Sequence, residues 1–277
     1  MSHPRPVPPI TFFGLTFLVS WTLWAAAAAI PESVSLREMR WIAFLPGTFV
    51  PGLVAMGLTA RAGGGPGVRG LLTPLFASSV PVRWYVFAVT YMAAAKLAAA
   101  AAFRMIDGEW PAFAPLSWWL LPAAILFSTA FQAGEEIGWR GYALPRMAAG
   151  MGLAPASVLL GVIWACWHLP LFYIPATDST GQPFLPYLLS VTALSVAMAW
   201  LWARTNGSLF LVMLMHAAIN NTAVIVPSAV PGATNPLAPG ASLMAWLTTG
   251  MLWAGAALIL VRISSADRVR KPSPERT

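Results

Sequence analysis

Apolar segments of about 20 residues, the length that crosses the hydrocarbon of a bilayer, recur along this 277-residue chain with only short polar breaks. A segment in hydrocarbon must satisfy its own backbone hydrogen bonds, so runs of this length and composition predict helices. They fall near 11–30, 41–60, 83–103, 118–134, 155–174, 184–203, 208–226 and 241–263, giving eight expected spans. Composition agrees, because only 9% of residues are charged against about 25% in a soluble domain. The expected fold is therefore an all-α membrane protein, a bundle of about eight transmembrane helices. One polytopic domain covers 1–263, and a polar tail, expected to be disordered and cytoplasmic, covers 264–277.

Several local features refine that frame. "WAAAAAI" places small residues after the first apolar run, as before a signal-peptidase site. The run is longer than a usual signal core, so an uncleaved span is expected. The break "RAGGGPGVRG" at 61–70 reads as a flexible loop. No repeat of about 20–50 residues is visible. The fourth span is expected to continue as helix through two glutamates to about Met147, ahead of the break "AAGMGLAP".

Charge orients the chain. The formal net charge is +7, with 14 Arg and 2 Lys. With the N-terminus inside, the inner segments take twelve of these cations: Arg5, Arg61, Arg69, Arg83, Arg140, Arg146, Arg204, Arg262, Arg268, Arg270, Lys271 and Arg276. The outer loops take Arg37, Arg40 and Arg104, and Lys96 lies within a span. That asymmetry places both termini in the cytoplasm. The bias to Arg, with many alanines, points to a bacterium with a GC-rich genome, and hence to a bacterial inner membrane. Basic balance of this kind reports cytoplasmic loops and anionic lipid. No basic stripe interleaved with aromatics predicts a nucleic-acid partner. The single Cys166 excludes an intramolecular disulfide and a Cys-cluster metal site, and it reads as a buried structural thiol.

Against this background three polar groups need a reason, since a charge at the bilayer centre costs about 2.5–3.5 kcal/mol on insertion scales. The first is "QAGEEIGWRG". Glu136 and Arg140 are four apart and share a helix face, so they can pair, while Glu135 points about 100° away. The second is "GVIWACWHLPLF", with His168 in the fifth span and Trp164 one turn before it on the same face. Pro170 follows closely and can open the helix there. The third is "LVMLMHAAINNT", where His216 and Asn220 share a face of the seventh span. Taken singly, these are a helix-end charge cluster, a hydrogen-bonded histidine and interhelical glue. Together they place a carboxylate and two imidazoles on three helices, the groups that hydrolysis inside a membrane requires. Asn206-Gly207-Ser208 and Asn220-Asn221-Thr222 match a glycosylation pattern, but one would lie inside the cell and the other in a span.

These motifs resemble a known family. "EEIGWRGYALPRM" is similar to the EExxxR motif of the CPBP family, the CAAX-processing and bacteriocin-processing (Abi) intramembrane proteases. "WACWH" resembles its second, aromatic-xxx-His motif, and "HAAIN" its third, HxxxN. They occur in order, between residues 135 and 220, each on its own expected span. The resemblance implies eight helices around a polar intramembrane cavity open toward the cytoplasmic side. It implies Glu135 as general base, activating water together with His168, and His216 and Asn220 as stabilisers of the oxyanion. Glu136 and Arg140 look like supporting residues. Trp164 stands where the family often has Phe, a conservative departure. The implied substrate is a membrane-associated protein or peptide; eukaryotic relatives remove the last three residues of prenylated CAAX proteins. The alternative is a non-catalytic scaffold or a bacteriocin-immunity protein of the same family.

Other intramembrane chemistries fit less well. The HExxH, GxSG and GxGD motifs are absent from the sequence, and no paired, Gly/Pro-interrupted half-helices suggest a transporter built of inverted repeats. Glu135, His168 and His216 could also hold zinc with an open fourth position. A zinc-bound Glu135 would require another base, and Asn220 suits an oxyanion better than a metal, so no cofactor is expected. A reporter active only in the cytoplasm tests the orientation. Fused after Thr277 it should be active, and in the 227–240 loop silent; the reverse pattern would put the glutamates on the other side of the membrane.

Overall fold

The computed structural model describes residues 9–30, 40–115, 117–174, 179, 181–228, 235–237 and 242–270. Among these the regular structure is helical, with no strand. In chain order the helices are α1 (Pro9–Ala28), α2 (Arg40–Leu72), α3 (Val82–Asp107), α4 (Leu121–Thr129), α5 (Ala133–Glu136), α6 (Leu144–Met151), α7 (Leu153–Trp167), α8 (Phe184–Arg204), α9 (Leu209–Thr222) and α10 (Leu243–Arg270). Helices α4, α5 and α6 form one continuous, irregular helical run, joined by a 3₁₀ turn at Ala130–Gln132 and a π-helical turn at Ile137–Ala143. Each of the eight segments read as a span from sequence is thus helical.

Five of these segments are long and apolar enough to cross a membrane: Pro9–Ala28, Val82–Asp107, Leu153–Tyr173, Phe184–Arg204 and Leu243–Ser264. The other three are α2, the α4–α6 run, and α9 with the turn after it. Their lower apolarity or shorter length has a local cause. Helix α2 carries Pro46 and Pro51, the α4–α6 run carries the glutamates, and α9 is only 14 residues long. Helices α8 and α9 form the middle of the bundle. Every residue from Val191 to Ala199 and from Leu211 to Ile219 is buried, the signature of helices surrounded on all sides. Helix α1 packs along α2 and reaches the α5–α6 region, where Phe12 meets Trp139 and Tyr142 with ring centroids 5.6 and 5.1 Å apart.

Two expectations are corrected. The break at 61–70 is not a loop: α2 runs through it as helix on both sides of a sharp kink. Gly64 takes φ 58°, a left-handed conformation open to glycine at no steric cost, and Pro66 restarts the helix where its missing N–H is harmless. The chain folds back there, so Gly67 lies against Thr59. The tail is not disordered from its start either, since α10 continues to Arg270 and the first proline beyond it is Pro272. Residues 271–277 and the outer-loop Arg37 lie outside the described residues.

The glutamate-bearing α5 is set by contact of main chain on main chain. Gly134 and Gly138 flank "EEI" in a GxxxG spacing, which lets helices approach closely. A Cβ on Gly138 would stand 2.6 Å from the carbonyl carbon and oxygen of Pro51, and one on Gly134 would stand 2.9 Å from Phe49 Cα. From the other side, a Cβ on Gly52 would come within 2.8 Å of the Gly134 carbonyl oxygen. The obstacles are mostly backbone, which cannot rotate away. Gly138→Ala should therefore lower the thermal unfolding midpoint of the detergent-solubilised protein by an overpacking cost of about 1–3 kcal/mol. Gly57→Ala, on the same α2 but with nothing within 4 Å, should not lower it. Equal losses from both would refute the close-approach account.

Candidate active site

The π-helical turn begins directly after Glu136 and contains Arg140. Such turns are rare and recur at functional sites. Here the turn keeps Arg140 on the side of Glu136, and its Nη1 donates to Oε1 at 2.9 Å and to Oε2 at 3.3 Å. Both side chains are 0% exposed. The expected pair therefore forms, and it is wholly buried.

Glu136 has a second partner that sequence reading did not anticipate. His216 on α9 contacts the same Oε1 through Nδ1 at 2.8 Å. A carboxylate only accepts, so Nδ1 carries the hydrogen and Nε2 is the free end of the ring. Glu136 thus joins α9 to the π turn through one oxygen.

Glu135 follows a different path. It forms no salt bridge among the described residues, although the Arg140 charge is near enough to act on it; its Oε2 accepts a 2.7 Å hydrogen bond from the indole Nε1 of Trp164 on α7. It is 8% exposed, whereas Glu136 is closed off. His168 sits at the end of α7, where Pro170 stops the α-helix and a 3₁₀ turn, Leu169–Tyr173, takes over. Its Nδ1 lies 2.8 Å from the main-chain oxygen of Trp164. Because a carbonyl accepts, Nδ1–H is the donor there and Nε2 is left bare. The imidazole and the Glu135 carboxylate are close enough to interact electrostatically.

Trp164 is the common neighbour. Its ring meets His168 edge-on at 5.8 Å and His216 at 5.2 Å, and the Arg140 guanidinium lies 4.2 Å from its centroid. Arginine suits this place because its planar, weakly hydrated cation stacks on an aromatic face. The structure thus brings Glu135, Glu136, Arg140, Trp164, His168 and His216 together from three chain segments. Asn220 lies one helical turn from His216 on α9; it is exposed, and its side chain makes no hydrogen bond among the described residues. The neighbouring Asn221 is the glue residue, donating to Ser128 on α4 at 2.8 Å.

Besides the His216–Glu136 contact, two features were not legible in the sequence. The Trp164–Glu135 bond had no signal in spacing, because it joins residues 29 apart. The GxxxG spacing at Gly134 and Gly138 is visible in the sequence, but its partner on α2 is not. Among the described residues no group of three His, Cys, Asp or Glu side chains is arranged to hold a metal ion.

The chain is similar to known proteins over this region. Residues 115–222 match the family described as Type II CAAX prenyl endopeptidase Rce1-like. A similar protein is CAAX prenyl protease 2 of Methanococcus maripaludis, 23% identical over 224 residues, which cover 76% of this chain and 82% of that protein.

The buried pair predicts an asymmetry between stability and exposure. Arg140→Ala leaves Glu136 as a buried carboxylate short of its cation, a change that costs about 3–5 kcal/mol. Arg146→Ala removes a partly exposed arginine that donates to the Tyr142 carbonyl, and its effect should stay within about 1 kcal/mol. Thermal unfolding in detergent should rank the two in that order. An Arg140→Ala protein as stable as wild type would mean that the pair contributes nothing.

Proposed function

We propose that this chain, whose residues 115–222 match the Rce1-like family, is an intramembrane peptidase of the CPBP family. It hydrolyses a peptide bond of a membrane-associated protein or peptide near the cytoplasmic face. One observation carries the mechanism. Glu135 is the carboxylate that neither Arg140 nor His216 bridges, since both are bonded to Glu136, and beside it is a histidine with a bare Nε2.

In this reading Glu135 takes a proton from water through the oxygen that Trp164 does not hold, and His168 Nε2 orients that water. The water oxygen attacks the peptide carbonyl carbon, and the π electrons move to the carbonyl oxygen. His216, through Nε2–H of its doubly protonated form, and Asn220, through its side-chain amide, donate to that oxyanion. The Glu136 carboxylate, 2.8 Å from His216 Nδ1, offsets the imidazolium charge. When the intermediate collapses, the C–N bond breaks and Glu135 passes its proton to the leaving amine. Donors aimed at developing charge in a dry site are the largest catalytic term in many enzymes.

The same reading is metal-independent. Each imidazole and each carboxylate has a protein partner that orients it. What these partners leave free is one general base, one water-orienting nitrogen and a pair of oxyanion donors. The multi-pass chain sits with both termini in the cytoplasm of a bacterial cell, by its charge asymmetry, in contact with anionic lipid. The name of the Methanococcus protein supports a prenylated CAAX peptide as the first substrate to try.

The test uses purified protein in lipid vesicles and a quenched fluorogenic peptide ending in a farnesylated cysteine and three further residues. A pool of bacterial membrane-protein peptides, read by mass spectrometry, runs in parallel. Wild type should cleave at least one of them. Glu135→Gln and His168→Ala should abolish turnover, with thermal midpoints near wild type. Activity should survive a chelator and desalting. Cleavage by Glu135→Gln would remove the proposed base. Stoichiometric zinc, with activity lost on its removal and regained on its return, would instead make Glu135, His168 and His216 ligands. Intact substrates throughout would favour the scaffold reading.

A further inference from the structure

Trp164 touches both groups assigned to water activation, and does so with different parts of itself. Its side chain donates from Nε1 to Glu135 Oε2 at 2.7 Å, and its main-chain oxygen accepts from His168 Nδ1 at 2.8 Å. Each bond uses the end of its partner that chemistry does not need. Oε2 is occupied, so Oε1 is the oxygen of Glu135 left for a proton; Nδ1 is occupied, so Nε2 is the nitrogen left for water. A phenylalanine at this position would pack a similar ring but would offer no N–H.

The ring is itself held. The residue is 3% exposed, and Arg140 lies on its face while both histidines meet it edge-on. A Cβ added at Gly161, one turn earlier on α7, would stand 2.6 Å from Thr192 Cα, so α7 is seated tightly on α8. The indole is fixed from its backbone to its tip.

We propose that Trp164 is a positioning residue that sets the carboxylate of Glu135 and the imidazole of His168 together, its indole N–H fixing which carboxylate oxygen meets water. This rests on the peptidase reading above. A residue with this role lowers turnover when its N–H is lost and leaves substrate binding alone, because the bond orients the base and does not touch the substrate. Loss of a hydrogen bond to a charged group is typically worth about 10–100-fold.

Two variants separate the N–H from the ring. Trp164→Phe removes the donor and part of the volume. β-(3-Benzothienyl)alanine, incorporated at position 164, replaces the N–H by sulfur at nearly constant shape. With whichever peptide wild type cleaves and Glu135→Gln does not, both variants should lower kcat about 10- to 100-fold with KM within roughly twofold. The benzothienyl protein should keep the wild-type thermal midpoint. Wild-type kcat in the benzothienyl protein would overturn the proposal and leave Trp164 a packing residue; so would a loss expressed in KM alone.

A readout independent of turnover keeps this distinct from the peptidase reading. In a vibrational difference spectrum, wild type minus Glu135→Ala, one strongly hydrogen-bonded indole N–H should disappear. The same difference should vanish in the benzothienyl background. A flat wild-type difference would overturn the positioning role even in an active enzyme. The N–H signal without turnover by wild type would instead locate the failure in the peptidase reading.

Discussion

The contact of Arg140 and His216 with a single buried oxygen of Glu136 constrains most of what surrounds it. A carboxylate with 0% exposure is tolerable only when paired and hydrogen-bonded. Pairing it from the π turn alone would satisfy the charge but would leave the fold of that turn independent of α9. The 2.8 Å contact with His216 removes that independence. The two segments cannot slide past each other without exposing a charge to hydrocarbon. The glycine seam against α2 serves the same end from the opposite side, because it brings main chain close enough that α5 cannot rotate. A helix so held can present its other glutamate, Glu135, in one orientation.

Aromatic rings wall the region. Trp139, Trp164 and Trp167 are buried, and Trp167 stands 4.7 Å from His168 and 4.7 Å from Trp24 of α1. Trp21 of α1 donates to the main-chain oxygen of Trp167 at 2.9 Å. Helix α1 is thereby part of the wall behind the histidine. Aromatic walls raise the strength of every charge interaction inside them. They also supply N–H groups, one of which reaches Glu135. Arg140 fits the same environment: it spends Nη1 on Glu136 and rests its face on Trp164, while Nε and Nη2 find no hydrogen-bond partner among the described residues.

Much of this was legible in the sequence, for identifiable reasons. Span positions follow from hydropathy, and the pairing of Glu136 with Arg140 follows from helical spacing, which the π turn changes too little to break. His168 at a helix end follows from Pro170. Contacts between distant segments were not legible. Spacing within a motif says nothing of which atom of Trp164 meets Glu135, nor that His216 would take Glu136 as its partner. The misread break at 61–70 has a simple cause. Three consecutive glycines and a proline read as loop by propensity, yet only Gly64 needs a conformation that other residues avoid, and the helix resumes on the proline.

The division of the bundle into regular and irregular helices ties these points together. The long apolar helices α1, α3, α8 and α10 supply thickness and packing. The π turn, the proline-bearing α2 and the short α9 supply the polar groups or seat them. A helix that carries charge, glycine and a π turn is poor at holding itself in a membrane, since each of those features weakens insertion or propensity. Here each weakness is met by a neighbour: the charge by Arg140 and His216, the glycines by the backbone of α2, and the broken end of α7 by the Trp164–His168 bond. Local irregularity and reactive groups therefore occupy the same place because only there does the surrounding packing over-determine the backbone.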